Sequence, residues 1–285
     1  MRLGYLGPAG TFTHAALLAS RFGADAEAVP FDTERETILA AGSGAVDAAL
    51  APIENSLEGG VNATLDTLAL DAAGEGVRIV GEEVLPISHA LIVRPGVGMA
   101  EIEAVVSHPQ PLGQCRRYLA EELPGRRAIA ATSTAEAVRT VADAGDSAYA
   151  AIGTTTAAAL YGCAVLAEGI EDEHGNQTRF LWVAPSGSDP FGTAHATAGA
   201  KTSIVFHGAG DASPGWLVRC LSELAFRGIN LTRIESRPLK RQLGHYLFLA
   251  DLQGHEDDAQ VAEAIDRLRA YCEVVRVLGS YPSAA

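Results

Sequence analysis

The sequence contains no Cys-x-x-Cys pair. Its four cysteines, Cys115, Cys163, Cys220 and Cys272, lie far apart in apolar surroundings, which points to buried free thiols rather than disulfides or a zinc site. The eight histidines form neither His-x-His nor His-Glu-x-x-His, so no metal site is expected. Gly-x-Ser-x-Gly is absent, which leaves a serine hydrolase unsupported. There is no Gly-Lys-Ser/Thr phosphate loop and no dinucleotide-loop spacing. No apolar run approaches the roughly 18 residues of a membrane span, and Met1-Arg2-Leu3-Gly4-Tyr5 does not read as a signal peptide. Internal repeats are lacking as well. These absences together predict a cytoplasmic protein in a reducing compartment. Basic residues are outnumbered, 21 Lys and Arg against 35 Asp and Glu, for a net charge of −14. Nucleic acid and anionic membrane are thereby disfavoured as partners. A locally positive site for a small anion is not.

What is present suits two domains: 285 residues, 48% apolar and 20% charged, enough for a proper core. Strand and helix alternate from the start, with strands over residues 2–7, 28–31 and 46–53 and helices over 11–22, from 33 and over 63–70. This is the pattern of an α/β domain with a mainly parallel sheet. Residues 77–93 read as extended chain crossing to a second lobe. There, strands at 102–106, 127–131 and 149–152 alternate with helices, and 165–170 leads back. Thr33 with Glu36, and Ser133 with Glu136, have capping-box spacing. Residues 185–200 are a linker by composition. Residues 201–285 then follow the order βαββαβ, a ferredoxin-like unit.

Polar motifs fall where strands end, the usual place for ligands in open α/β sheets. Asn176-Gln177-Thr178-Arg179-Phe180 leads a polar loop into the apolar run Leu181-Trp182-Val183. Thr178 and Arg179 there either simply begin a strand or carry chemistry on a loop held by a rigid sheet. Glu54-Asn55-Ser56 follows another buried run, as a strand-ending turn or as the floor of a cleft. Ser107 precedes a helix, either as its N-cap or, with Gln114 two turns on, as part of a carboxylate site. Gly7-Pro8-Ala9-Gly10-Thr11 is either a tight turn or an anion-receiving loop before a helix.

Taken together these stretches resemble the prephenate dehydratases. The resemblance rests on Gly7-Pro8-Ala9-Gly10-Thr11-Phe12, Pro52-Ile53-Glu54-Asn55-Ser56, Ser107-His108-Pro109-Gln110 with Gln114, and Asn176 to Phe180. In the tail, Glu235-Ser236-Arg237-Pro238 is similar to the signature of the family's ACT regulatory domain. The resemblance implies a two-lobed, type II periplasmic-binding-protein-like α/β catalytic domain over 1–184. Lobe one is expected over about 1–76 and 166–184, and lobe two over about 77–165. An ACT domain follows the linker. It implies conversion of prephenate to phenylpyruvate, water and carbon dioxide without metal or organic cofactor. Feedback by phenylalanine is expected at an interface between subunits of a homodimer or homotetramer.

Carried over residue by residue, the essential threonine is Thr178, with Glu54, Asn55, Ser107 and Gln114 in support. Thr11, Ser56, Arg179 and Phe180 are further expected to line the substrate site. The effector site falls on Ser213, Gly215, Trp216, Leu217, Val218, Asn230, Leu231, Glu235 and Ser236. The family's Gly-Ala-Leu-Val is here Gly215-Trp216-Leu217-Val218, which leaves the effector's identity open. The chemistry asks for a donor to the departing ring hydroxyl, expected to be Thr178, and a proton source, expected to be a desolvated Glu54. Arg179 is expected either to meet the pyruvyl carboxylate or to pair with Glu171 or Glu173. Arogenate dehydratase and a non-catalytic amino-acid sensor are the competing readings.

Overall fold

A computed structural model describes residues 1–73, 76–193, 199–208, 213–241 and 243–284. Three sheets organise it. The first runs β2-β1-β3-β11-β5, with β4 added beside β3. Its strands are β1 (Arg2–Leu6), β2 (Glu27–Phe31), β3 (Ala48–Asn55), β4 (Gly59–Gly60), β5 (Val77–Pro86) and β11 (Gln177–Pro185). β1, β2 and β3 pair in parallel, and β11 lies antiparallel between β3 and β5. Helices α1 (Phe12–Ala19), α2 (Glu34–Gly42) and α3 (Asn62–Ala69) connect these strands.

The second sheet runs β10-β6-β9-β7-β8. It is made of β6 (Ala90–Val93), β7 (Ala104–Ser107), β8 (Arg127–Ala130), β9 (Tyr149–Gly153) and β10 (Ala164–Glu168). Its helices are α4 (Pro109–Gln114), α5 (Arg116–Glu122), α6 (Thr134–Ala142) and α7 (Thr155–Leu160). Two lobe boundaries expected from sequence are corrected here. Residues 77–86 belong to the first sheet, and β10 pairs with β6 in the second. The chain therefore crosses at residues 87–89 and 169–176. The two crossings bind each other through Ile87 N to Asn176 O (2.8 Å) and Ile170 N to His89 O (3.2 Å).

The capping signals act locally as their chemistry requires. Thr33 accepts from the Glu36 amide and Ser133 from the Glu136 amide, so each hydroxyl satisfies a helix-start donor that has no partner in the helix. Ser107 is not a cap. His108 fills that place, its Nδ1 accepting from the Gln110 amide.

The third sheet, β13-β14-β12-β15, consists of β12 (Ala200–His207), β13 (Leu231–Pro238), β14 (Tyr246–Gln253) and β15 (Val274–Pro282). With α8 (Trp216–Ala225) and α9 (Ala259–Arg269) it follows the order βαββαβ. Residues 194–198 of the expected linker, and 209–212, 242 and 285 of the expected C-terminal domain, lie outside the described residues. Period-two alternation gives this sheet two apolar faces. Ile204, Phe206, Ala250 and Leu252 meet α8 and α9, whereas Val205, Leu247, Leu249 and Leu278 join the core of the first sheet, with Ile38, Leu65 and Ile79. The third sheet is thus packed against the first, not merely tethered to it.

β15 and β5 meet at close range. A β-carbon on Gly279 would collide with the Ile79 carbonyl, and backbone atoms cannot swing aside. Gly279→Ala is expected to destabilise the chain by about 1–3 kcal/mol, a loss of several degrees in thermal midpoint. A melting curve checks this; an unchanged midpoint contradicts the tight β5–β15 contact.

Candidate active site

Between the first two sheets lies a cleft of about 460 Å³. The first sheet and its loops supply Thr11, Phe12, Asn55, Thr178 and Phe180; the second lobe supplies His108, Gln110, Gln114 and Ser133. Ile87, His89 and Asn176 reach the cleft from the two crossings. Among the described residues its lining includes the acids Asp32 and Glu34 but no Lys or Arg. The positive ends available are helix starts: Thr11 caps α1, and Ser133, flanked by Thr132 and Thr134 on the wall, caps α6. No group of three or more His, Cys, Asp or Glu suited to a metal lies among the described residues.

Thr178, the second residue of β11, lies opposite Asn55 at the end of β3. The Asn55 amide nitrogen donates to Thr178 Oγ1 (2.9 Å) and to Asn176 Oδ1 (2.8 Å). Its carbonyl oxygen accepts from the Leu57 and Glu58 amides, both at 3.0 Å. Two backbone donors thus fix which end of the amide faces Thr178. Thr178 accepts there, and its own proton is left for a ligand.

His89 carries a role that no motif signalled. It is 2% exposed and lies edge-on to Phe12. Gln114 gives its NH2 to Glu58 (3.1 Å), so its carbonyl faces His89 Nε2 (2.8 Å), and that nitrogen must carry the proton. Nδ1 is buried without a partner. Because Glu58 follows β3 and Gln114 ends α4, this relay spans the two lobes. The only sequence hint was a histidine in an otherwise apolar extended run.

The remaining expectations divide sharply. Thr11, Asn55, Gln114, Thr178 and Phe180 line the cleft. Thr11 also has structural duties, donating to Leu6 O and accepting from His14 N. Ser56 does not line the cleft; its hydroxyl holds the Asn176–Gln177 loop. Ser107 is fully buried and donates to Ile152 O (2.7 Å), away from the cleft. Glu54 and Arg179 are corrected together. β3 continues through Asn55 rather than stopping at Ile53, so Glu54 and Asn55 point to opposite faces, as do Arg179 and Thr178.

Glu54 turns to Arg233 (3.4 Å) and Arg179 (3.7 Å) with its side chain 40% exposed, which removes it as a desolvated acid in the cleft. Arg179 pairs with Glu82 and Asp251, both at 2.6 Å, and not with Glu171 or Glu173. Burial alone would raise the Glu82 carboxyl, but Arg179 and Lys201 outweigh it and hold it below its ordinary value.

In the third sheet, Trp216 and Leu217 share an apolar cluster with Leu231. The Trp216 ring packs near Phe206 and Phe248, and its Nε1 donates to Tyr271 O (2.6 Å), so it points into the core. Gly215 starts α8 with a φ of 76°, the left-handed region that suits glycine. Ser213 accepts from Arg219, while Val218 and Asn230 are exposed. Glu235 and Ser236 fall on opposite faces of β13. The Glu235 carboxylate bonds Arg233 and lies against Gly60, and Ser236 faces out, so the structure does not bring these two side chains together.

The family model described as "Prephenate dehydratase" matches residues 3–188. A curated prephenate dehydratase of Mycobacterium tuberculosis (strain H37Rv) is 40% identical over 291 aligned positions, covering 99% of this chain and 87% of that protein. The crystal structure of an Arthrobacter aurescens prephenate dehydratase in complex with L-Phe aligns with a TM-score of 0.89 at 39% identity, covering 99% of this chain and 90% of that one. GqqA, described as a novel type of quorum-quenching acylase, aligns with a TM-score of 0.86 at 29% identity, covering 100% and 98%.

Burial draws the His89 imidazole below its ordinary value of 6.5, against the opposing pull of Gln114 and Glu171. A lowered histidine pKa favours the neutral ring, and the stability it contributes is lost as pH falls below the unfolded value. Nitrogen-15 NMR at pH 7 is expected to show a neutral ring protonated on Nε2, titrating below 6.5. An imidazolium at pH 7, or the Nδ1–H tautomer, contradicts the relay.

Proposed function

This chain belongs to the prephenate dehydratase family, and on that premise we propose that its cleft converts prephenate to phenylpyruvate, with Thr178 as donor to the leaving hydroxyl. Prephenate dianion and one proton give phenylpyruvate, water and CO2. The C–O bond of the ring hydroxyl breaks, and the ring–carboxylate C–C bond supplies the electrons that complete the aromatic ring. Aromatisation drives the reaction, so the barrier lies in expelling a poor leaving group. A donor whose hydrogen bond strengthens as charge builds on that oxygen lowers it most.

The observation that carries this reading is the 2.9 Å bond from Asn55 to Thr178. An oxygen that accepts a fixed hydrogen bond is a better donor through its own proton. The same bond argues against an acyl-transfer reading suggested by the GqqA neighbour. A nucleophilic hydroxyl needs a base to take its proton, and the Asn55 amide end facing Thr178 only donates. Helix starts, rather than guanidinium groups, receive the two carboxylates. Dipoles hold the ring carboxylate without locking it into an ion pair, so it is free to leave as neutral CO2.

For residues 201–285 the reading is an ACT domain that binds phenylalanine near the start of α8 and of β13. The L-Phe complex of the Arthrobacter relative supports that ligand. Because the Trp216 ring is turned inward, it leaves that surface clear. Val218, Phe226 and Ile234 are exposed at 67%, 85% and 44%, apolar area that suits a second copy of the chain in a homo-oligomer.

Mixing the purified chain with prephenate is expected to raise the absorbance of phenylpyruvate; arogenate assayed beside it settles the substrate. Thr178→Val, nearly equal in volume, should cut kcat by about 10²- to 10⁴-fold with little change in KM. A kcat within a few-fold of wild type would remove Thr178 as the donor.

A further inference from the structure

We propose that Arg179 is a positioning residue that makes the setting of the Thr178 hydroxyl depend on the third sheet; this rests on Thr178 being the donor. Arg179 follows Thr178 on β11 and leaves by the face opposite the cleft, its side chain 12% exposed. Nη1 donates to Asp251 (2.6 Å) and Nη2 to Tyr281 (2.9 Å), while Nε holds Glu82 on neighbouring β5. Ser203 Oγ donates to Asp251 Oδ1 (2.5 Å), so the 2.7 Å contact between Ser203 and Tyr281 is donated by Tyr281. The bonds close a ring in which Arg179 donates both to Tyr281 and to Asp251, Tyr281 donates to Ser203, and Ser203 donates to Asp251, whose carboxylate accepts from both sides. Three of its four members belong to the third sheet, one each from β12, β14 and β15.

Two consequences follow from elementary energetics. A buried guanidinium cannot be left without its carboxylates, so β11 must follow Asp251 when β14 moves. The ring also cannot stretch: a shift of β14 against β15 breaks at least one of its bonds. On the other face of β11 sits Thr178, one residue away and just ahead of an irregularity in the pairing with β3 between Arg179 and Phe180, a feature that re-aims side chains. Strand β3 repeats the arrangement. Asn55, which bonds Thr178, follows Glu54, whose carboxylate is 3.4 Å from Arg233 on β13. Donor and supporting amide are therefore each one residue from a side chain gripped by the third sheet. A ligand that shifts β14 or β13 is read at the Thr178 hydroxyl without touching the cleft.

The test follows the methyl resonance of Thr178 in the full-length chain labelled with carbon-13 threonine, identified by its loss in Thr178→Val. Asp251→Asn removes the carboxylate that accepts two bonds of the ring, from Arg179 and Ser203, and Tyr281→Phe deletes a hydroxyl from it. Glu263→Gln, altering a partner of Arg227 on the far helices, is the control. The resonance should move in both ring variants and stay put in the control. On prephenate, kcat should fall by about 10- to 100-fold while KM stays within about threefold, as expected for a misplaced reacting group. L-phenylalanine should still bind by calorimetry but no longer alter kcat. An unmoved Thr178 resonance with unchanged kcat in a folded Tyr281→Phe chain overturns the proposal, and that milder variant decides if Asp251→Asn does not fold. If the wild-type chain turns over no prephenate, the reading of its function fails by itself, and the methyl shift alone then decides the coupling.

Discussion

Strand β11 sends alternate side chains into two compartments, and much of the molecule depends on that alternation. Thr178 faces the cleft, where its hydroxyl accepts from Asn55. Arg179 faces the third sheet, where Asp251 and Tyr281 hold it. Neither environment tolerates the other's residue. A guanidinium in the cleft would bind the ring carboxylate strongly and oppose its loss as CO2. A lone threonine between Glu82 and Asp251 would take from the buried Asp251 carboxylate its guanidinium and leave Glu82 with Lys201 alone. A one-residue slip of β11 would exchange the two, so the sheet's register and the site's chemistry are one constraint.

Among the described residues the cleft walls carry no Lys or Arg, though Asp32 and Glu34 lie on them, and the polar groups are set by second contacts: Asn55 by two backbone amides, Gln114 by Glu58 and His89. Groups fixed in this way need no reorganisation when charge appears on the leaving oxygen, which is where electrostatic catalysis gains most. The relay through Gln114 also ties one lobe to the other. Holding the two lobes together and orienting the polar groups are therefore linked.

Much of this was legible in the residues. The alternation of strand and helix, the Thr33 and Ser133 caps, and the motifs around Asn55 and Thr178 all lie in short-range patterns that local chemistry dictates. Facing was not legible. An apolar run shows that a strand is buried but not where it stops, and two further residues on β3 sent Glu54 to the opposite side from Asn55. For the same reason Arg179 could not be assigned to substrate or to protein, since its carboxylates are 97 and 72 residues away. Ser107 stood where a cap belongs, but the strand ran through it and His108 took the cap. Trp216 looked like an intruder beside an effector pocket; tertiary packing, invisible locally, turned its ring into the core. His89 lacked a motif because its partners, Gln114 and Phe12, meet it only in the fold.

The division of labour on β11 is open to one direct observation. A crystal structure of the chain with a ring-saturated, unreactive prephenate analogue should place the ring hydroxyl within hydrogen-bond distance of Thr178 Oγ1, with Arg179 still joined to Asp251 and Tyr281. An analogue carboxylate paired with Arg179, or a Thr178 hydroxyl turned away from the ring oxygen, would contradict the account.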